Sequence, residues 1–261
     1  MTIKQHLLNL LKNPDFCNLP IDDPNTIIKR GQIIRQKEFL KKIYIEWYKQ
    51  IASSLPEGNN PVLEIGSGSS FMSDYIKPLL RSDLQKLPDT DLVMDACSTF
   101  PFANNSLRGI AMINTLHHLP DGAAFFSEAN RCLEPGGTIV MVEPWVSTWS
   151  SFIYKLVLHE PFDPNTPNWQ FTTSGPLSGA NGALPWIIFA RDYQKFCQLY
   201  PALKIEKPTL QMPLRYLLSG GVSMRSLVPN CSFAFWQTLE KTLTPLNPKI
   251  AMFALIVIKK I

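Results

Sequence analysis

The sequence predicts an α/β fold, a mostly parallel sheet with helices on both faces, preceded by a helical extension. Two observations carry this. From Pro61 onward, short apolar runs broken by glycine, proline and aspartate alternate with helix-like segments, which is how strands buried on both faces of a parallel sheet read. Before it, Leu40, Tyr44, Trp47, Tyr48, Ile51 and Leu55 recur at helical spacing, with Arg35, Lys37, Lys41, Lys42 and Lys49 supplying charge between them. The 261 residues suffice for one large domain or for a core with an appendage. We draw a helical extension over residues 1–60, closed by Pro56-Glu57-Gly58-Asn59-Asn60, and one domain over residues 61–261.

The amphipathic stretch of the extension reads as one helix docked on the core with a solvated basic face; a helix lying on a membrane surface would share the pattern. In the domain, Val62–Ile65 is the first strand. A helix over residues 70–77 ends at Pro78, residues 79–82 form a second strand, residues 91–94 a third and residues 107–115 a fourth. Phe125, Ala129, Cys132 and Leu133 share one face of a helix over residues 121–133, and Pro135-Gly136-Gly137 stops it before a strand over residues 138–142. Residues 145–190 are rich in Trp, Phe, Pro, Asn and Gly and show no period, the texture of a functional loop, here read as a lid over a substrate site. A helix over residues 192–200, a strand near residues 203–212, a glycine break at Gly220-Gly221 and a last strand over residues 250–258 complete the chain.

Composition excludes several classes. With 45% hydrophobic and 18% charged residues the chain is neither disordered nor collagen-like, and a net charge of +4 is too mild to demand nucleic acid as partner. The five cysteines are scattered, with no zinc-knuckle or C-x-x-C spacing, which suits a reducing, cytoplasmic setting. The first residues do not read as a secretory signal, and the longest apolar run, residues 250–258, is about half of what a spanning helix requires. Nothing in the sequence fixes the oligomeric state; a homodimer is compatible with it.

The most informative stretch is VLEIGSGSS, residues 62–70: a buried strand, an acid, and a Gly-Ser-Gly turn. Gly66 and Gly68 permit positive φ and put no Cβ between backbone and ligand. Such a turn also serves dinucleotide enzymes, but those want a third glycine where Phe71 stands. Further motifs follow in order: Asp83 after the second strand, Asp95-Ala96 after the third, FPFANNSL, then NTLHHLPD after the fourth, then EANRCLEPGGTIVMVEP.

In this linked set the chain resembles the class I S-adenosylmethionine-dependent methyltransferases, in particular their small-molecule branch, which includes ubiquinone and menaquinone biosynthesis methyltransferases. The resemblance covers residues 62–143 and, more loosely, the last two strands. It implies a Rossmann-like, doubly wound seven-stranded sheet, mostly parallel with an antiparallel last strand, and S-adenosyl-L-methionine as cofactor. Carried over by position, it implies that Glu64, Gly66, Ser67 and Gly68 surround the methionine portion, that Asp83 meets the ribose hydroxyls, that Asp95 with Ala96 meets the adenine, and that Asn114 faces the sulfonium. The bland alternative for Asp83 and Asp95 is helix capping or turn formation. The chain departs from the family in the short interval between Asp83 and Asp95, which leaves no room for the usual crossover helix.

A methyl group on a sulfonium is already electrophilic, so positioning an acceptor should dominate. An alcohol or phenol acceptor would also profit from a base, and His117 and His118 are the candidates; otherwise they orient substrate or satisfy buried backbone. His159, Glu160 and Trp186 of the expected lid, together with Arg215, are candidate contacts to a small-molecule or carbohydrate-like acceptor. Adjacent histidines lack metal-helix spacing, so no metal is expected. The competing function is a non-catalytic module that binds the cofactor to regulate or scaffold a partner, suggested by the basic extension and the missing crossover helix.

Overall fold

The computed structural model describes residues 11–14, 20–157, 161–173, 175 and 179–261. The expected amphipathic helix is α2 (Glu38–Ser54), and among the described residues a further helix, α1 (Pro24–Gln36), precedes it. Pro24 follows Asp23, whose carboxylate accepts the Asn25 N–H, an N-terminal start that the sequence pattern around residue 35 did not reveal. The break falls at Lys37, extended at φ −80° and ψ 92°. Its Nζ donates to three backbone carbonyls, those of Ser219 (2.5 Å), Gly221 (2.6 Å) and Met224 (2.8 Å), pinning the joint to a segment distant in sequence.

The sheet comprises β1 (Val62–Ile65), β2 (Leu79–Asp83), β3 (Leu92–Val93), β4 (Leu107–Ile113), β5 (Leu133–Pro144), β6 (Leu203–Ile205), β7 (Thr209–Gln211) and β8 (Phe253–Lys260). Its order is β3-β2-β1-β4-β5-β8-β6, and β7 also pairs with β8. β8 alone runs against the direction of the other strands, so every antiparallel pairing involves it. The strand expected over residues 203–212 is split into β6 and β7, which meet opposite ends of β8, so the sheet has seven positions filled by eight strands. Pro208, without an N–H to donate, lies in the gap. The last strand starts at Phe253 because Asn247–Ile250 turn helically first.

Helices α3 (Gly122–Cys132), α4 (Thr148–Val157), α5 (Tyr193–Leu199), α6 (Arg215–Ser219) and α7 (Phe233–Thr242) complete the framework. The helix expected over residues 70–77 is reduced to a 3₁₀ turn, Met72–Asp74. Too few residues separate the glycine loop from Pro78 to offset the cost of helix nucleation, and Met72 and Ile76 are used as core instead. Pro135-Gly136-Gly137 lies inside β5, with Gly136 at φ 83° and a register shift beside it. The region expected to be irregular contains α4 and the helical turns Leu184–Trp186 and Ile187–Arg191.

Two apolar clusters sandwich the sheet. One joins Phe125, Phe126 and Ala129 of α3 to Ile187, Ile188, Phe189 and Phe196; the other joins Phe39, Ile43, Trp47, Tyr48 and Ile51 of α2 to Val62, Ala111, Val140 and Phe253. Each fully buried side chain of this kind contributes roughly 1.5–3 kcal/mol, so α2 is an integral layer. Helix α1 belongs to neither cluster, although Ile27 and Ile33 are buried. It lies instead on the glycine loop: a Cβ on Gly31 would stand 2.1 Å from the Ser69 Cβ. Gly31→Ala should therefore push α1 off the loop and destabilise the protein by about 1–3 kcal/mol, the usual range for overpacking, measured by denaturant unfolding. An unchanged midpoint would contradict that close approach.

Candidate active site

A cavity of about 610 Å³ lies beyond the carboxyl ends of β1, β2 and β4, where open α/β sheets take ligands. Its lining includes Glu64, Gly66, Ser67, Gly68, Asp83, Asp95, Ala96, Asn114, His117 and His118. Trp186 and Arg215 are absent from it, and His159 and Glu160 lie outside the described residues.

At the base, β1 carries Glu64 into the interior, where it is 3% exposed. Its Oε2 has no hydrogen-bond partner among the described residues. Burial pushes its carboxyl up from 4.5 to about 8, only partly opposed by a hydrogen bond from Ser70. Gly66 (φ 63°) and Gly68 (φ 52°) then turn the chain through the left-handed region, and a Cβ on Gly66 would stand 2.6 Å from Thr115 Cγ2. The Gly68 N–H donates to Asp83 Oδ2 at 2.9 Å and the Gln85 N–H to Asp83 Oδ1 at 3.1 Å. Burial raises the Asp83 carboxyl as well. Both oxygens retain acceptor capacity, since a carboxylate offers about four lone-pair sites. No helix separates β2 from β3, as the short interval implied. Asp95 is exposed and accepts from the Cys97 N–H (2.8 Å) and the Ser98 hydroxyl (3.1 Å), so it forms the anticipated turn while standing on the cavity wall beside buried Ala96.

The opposite wall is built where β4 and β5 end. Asn114 adopts φ 51°, and its side chain hydrogen-bonds Tyr44, whose phenol is pushed up to about 12 by burial. Glu143, wholly buried at the end of β5, accepts the N–H groups of Thr115 (2.7 Å) and Leu116 (2.8 Å) on one oxygen and meets His117 Nδ1 at 2.7 Å on the other. His118 Nδ1 faces the Gly179 carbonyl at 3.0 Å, and the two imidazole rings lie 4.3 Å apart. Because a carbonyl and a carboxylate only accept, each Nδ1 carries a hydrogen toward its partner.

Sequence reasoning missed Glu143 and an aromatic set on the same cavity: Tyr44 and Tyr48 from α2, Tyr154 from α4, Tyr216 from α6 and Phe253 from β8. Glu143 had the same signal as Glu64, an acid closing a buried strand. The tyrosines of α2 were hidden because their helical spacing matches a core stripe.

Two expectations are corrected. Arg215 is a structural cation: Nε donates to Glu240 (2.5 Å) and Nη1 to Glu46 (2.9 Å), joining α2, α6 and α7, with its guanidinium 4.9 Å over Phe233. Trp186 is partly buried and packs against the core cluster that takes in its neighbours Ala183, Leu184, Ile187, Ile188 and Phe189. Trp169 is also core, its indole N–H donating to Asp192 (2.9 Å). Of the expected lid, the described residues on the cavity are Tyr154, Thr173 and Gly175. Among the described residues no cluster of His, Cys, Asp and Glu is arranged to hold a metal ion, and no helix is long and apolar enough to cross a membrane.

The seven-position sheet with one antiparallel strand, and the glycine loop at its centre, define the class I methyltransferase fold. Residues 63–141 match the family model described as a methyltransferase domain. Among solved structures, geranyl diphosphate C-methyltransferase from Streptomyces coelicolor is similar at 13% identity over 96% of this chain and 89% of that one, with a TM-score of 0.50. A putative methyltransferase from Bacillus halodurans is 16% identical over 82% of this chain and 96% of that one (TM-score 0.45). An Aquifex aeolicus SAM-dependent methyltransferase is 13% identical over 90% and 98% (TM-score 0.43). No curated protein matches the chain. A methyltransferase domain over residues 63–141 implies S-adenosylmethionine as cofactor. The residues present fit that group: a buried carboxyl oxygen of Glu64, without a partner among the described residues, suits an ammonium, and the loop at Gly66 and Gly68 presents bare backbone.

Two measurements test this description. Arg215→Met leaves two carboxylates without their cation and should cost about 3–5 kcal/mol in denaturant unfolding. For Glu64 the sign follows from linkage: the unfolded chain releases its proton near 4.5 and the folded protein near 8, so in between the folded state holds the extra proton and stability falls as pH rises. Glu64→Gln should flatten that slope relative to the parent between pH 4.5 and 8; parallel profiles would remove the shift.

Proposed function

We propose that the protein transfers the methyl group of S-adenosylmethionine to a small-molecule acceptor, a carbohydrate-like one included, as in the small-molecule branch it resembles. The observation that carries this is the convergence on one cavity of the Glu64 carboxyl, with an oxygen that has no partner among the described residues, the Asp83 carboxylate and His117, which Glu143 holds from behind. When bound, the cofactor supplies a methyl group already activated by its sulfonium.

The chain's own residues divide the remaining work. Glu64 takes the ammonium of the methionine portion, which relieves its own desolvation. Asp83, held by two backbone N–H groups, offers its spare lone pairs to the ribose hydroxyls. Asp95 and Ala96 border the adenine, and Asn114, steadied by Tyr44, borders the methyl end. Helix α2 and the tyrosines around it exclude water from the acceptor side. For an acceptor that must lose a proton, His117 Nε2 is the base, with Glu143 fixing its tautomer and orientation.

Asp83→Ala should weaken cofactor binding by roughly 1.5–3 kcal/mol in calorimetry, the range for hydrogen bonds to a charged group. Unchanged affinity would remove Asp83 from the ribose. Failure of the protein to bind either S-adenosylmethionine or its demethylated product would overturn the whole reading. Acceptor-dependent release of that product identifies an enzyme, whereas binding with no turnover on any acceptor supports a regulatory module.

A further inference from the structure

The cavity wall contributed by α1 is formed by Ile27, Arg30, Gly31 and Ile34, four residues at helical spacing on one face. That face is seated on the cofactor loop: Ile27 lies against Gly68, and Gly31 touches Ser69. Arg30 is therefore level with the loop that takes the methionine portion, within electrostatic reach of Tyr44, which bonds Asn114 on the opposite side. Among the described residues, Arg30 is the single lysine or arginine of the cavity lining, against the three carboxylates of Glu64, Asp83 and Asp95.

S-adenosylmethionine brings one carboxylate into this acidic enclosure. Three protein carboxylates answer its ammonium, sugar and base but repel that group, and burying an anion without a partner is costly. A guanidinium matches a carboxylate geometrically as well as in charge.

We propose that Arg30 is the receptor for the methionine carboxylate of the cofactor, so that the N-terminal extension supplies part of the cofactor site. This rests on the cofactor assignment and on the methionine portion lying at the glycine loop. It separates the two ends of the amino acid: Glu64, on the sheet, takes the ammonium, and Arg30, on α1, takes the carboxylate.

The test compares the full-length protein with Arg30→Met and Arg30→Lys by calorimetry, using S-adenosylhomocysteine and its decarboxylated analogue, which keeps the ammonium and loses the carboxylate. Arg30→Met should weaken S-adenosylhomocysteine binding by about tenfold to a hundredfold while leaving the analogue's affinity unchanged, and Arg30→Lys should recover part of the loss. Equal losses for both ligands would mean that Arg30 only seats α1, and no loss for either would give the carboxylate to another group; both outcomes overturn the proposal. If Arg30→Met does not fold, Arg30→Lys and the parent's preference for the carboxylated ligand decide alone: no preference overturns it. Parent protein that binds neither ligand would sink the cofactor assignment itself, which is a separate result.

Discussion

Glu64 is carried into the interior by β1, all four of whose residues are buried and which is paired on both sides, to β2 and β4. The strand has no freedom to return the side chain to water, so the protein keeps a desolvated carboxyl with one oxygen unanswered among the described residues. Asp83 and Asp91 raise the cost further through their charge, and Arg81 offsets it only in part, since its guanidinium is engaged with Asp91 at 3.1 Å and with Asp89 at 3.7 Å. The floor of the cavity is in this way biased toward a cation before any ligand arrives. Such local destabilisation persists only where a strong surrounding core over-determines it, and the two apolar clusters on either side of β1 provide that.

The lost crossover helix between β2 and β3 explains what the extension does. A doubly wound sheet needs both faces covered, and here one face is served by α2, whose Phe39, Ile43, Trp47 and Ile51 are fully buried against the central strands. The same helix directs Tyr44 and Tyr48 into the cavity, so a single stripe is core along most of its length and site at one edge. Packing thus unites α2 with the sheet in one layer.

Much of the fold was legible because strand signals in this chain are strong: Val62–Ile65 was located to the residue, and α3 to within about a residue at each end. The residues around the glycine loop were legible for a local reason, since turn, acid and strand are contiguous in sequence. What was not legible depended on contacts between distant segments. Arg215 offers no sequence sign that Glu46 and Glu240 will meet it, and Trp186 none that its segment becomes core. The helix expected over residues 70–77 failed because apolar spacing there serves packing against α2, as Tyr48 against Phe71 at 4.8 Å illustrates. Glu143 was within view as the acid closing β5, but its role depends on three partners from the loop after β4, two backbone N–H groups and one imidazole.

Helix α1 stands apart from the rest of this architecture. It is fixed at its far end by the Lys37 ammonium among three carbonyls, in its last turn by the Arg35 bond to the Ser70 carbonyl (3.1 Å) and just before its start by the Gln85 bond to the Asp22 carbonyl (2.7 Å), yet it joins neither apolar cluster. Polar ties of this kind are individually worth about 0.5–1.5 kcal/mol, somewhat more with a charged donor, well short of what apolar burial secures for α2. This element of the cavity wall is thus held outside the two apolar clusters, in part by polar ties. A ligand touching both the glycine loop and the α1 face binds only the seated arrangement, so its free energy of binding is added to the seating of α1 and draws the helix down onto the site. Ligand capture and exclusion of water from the reacting atoms then become one event, which is what a transfer reaction that must avoid hydrolysis requires.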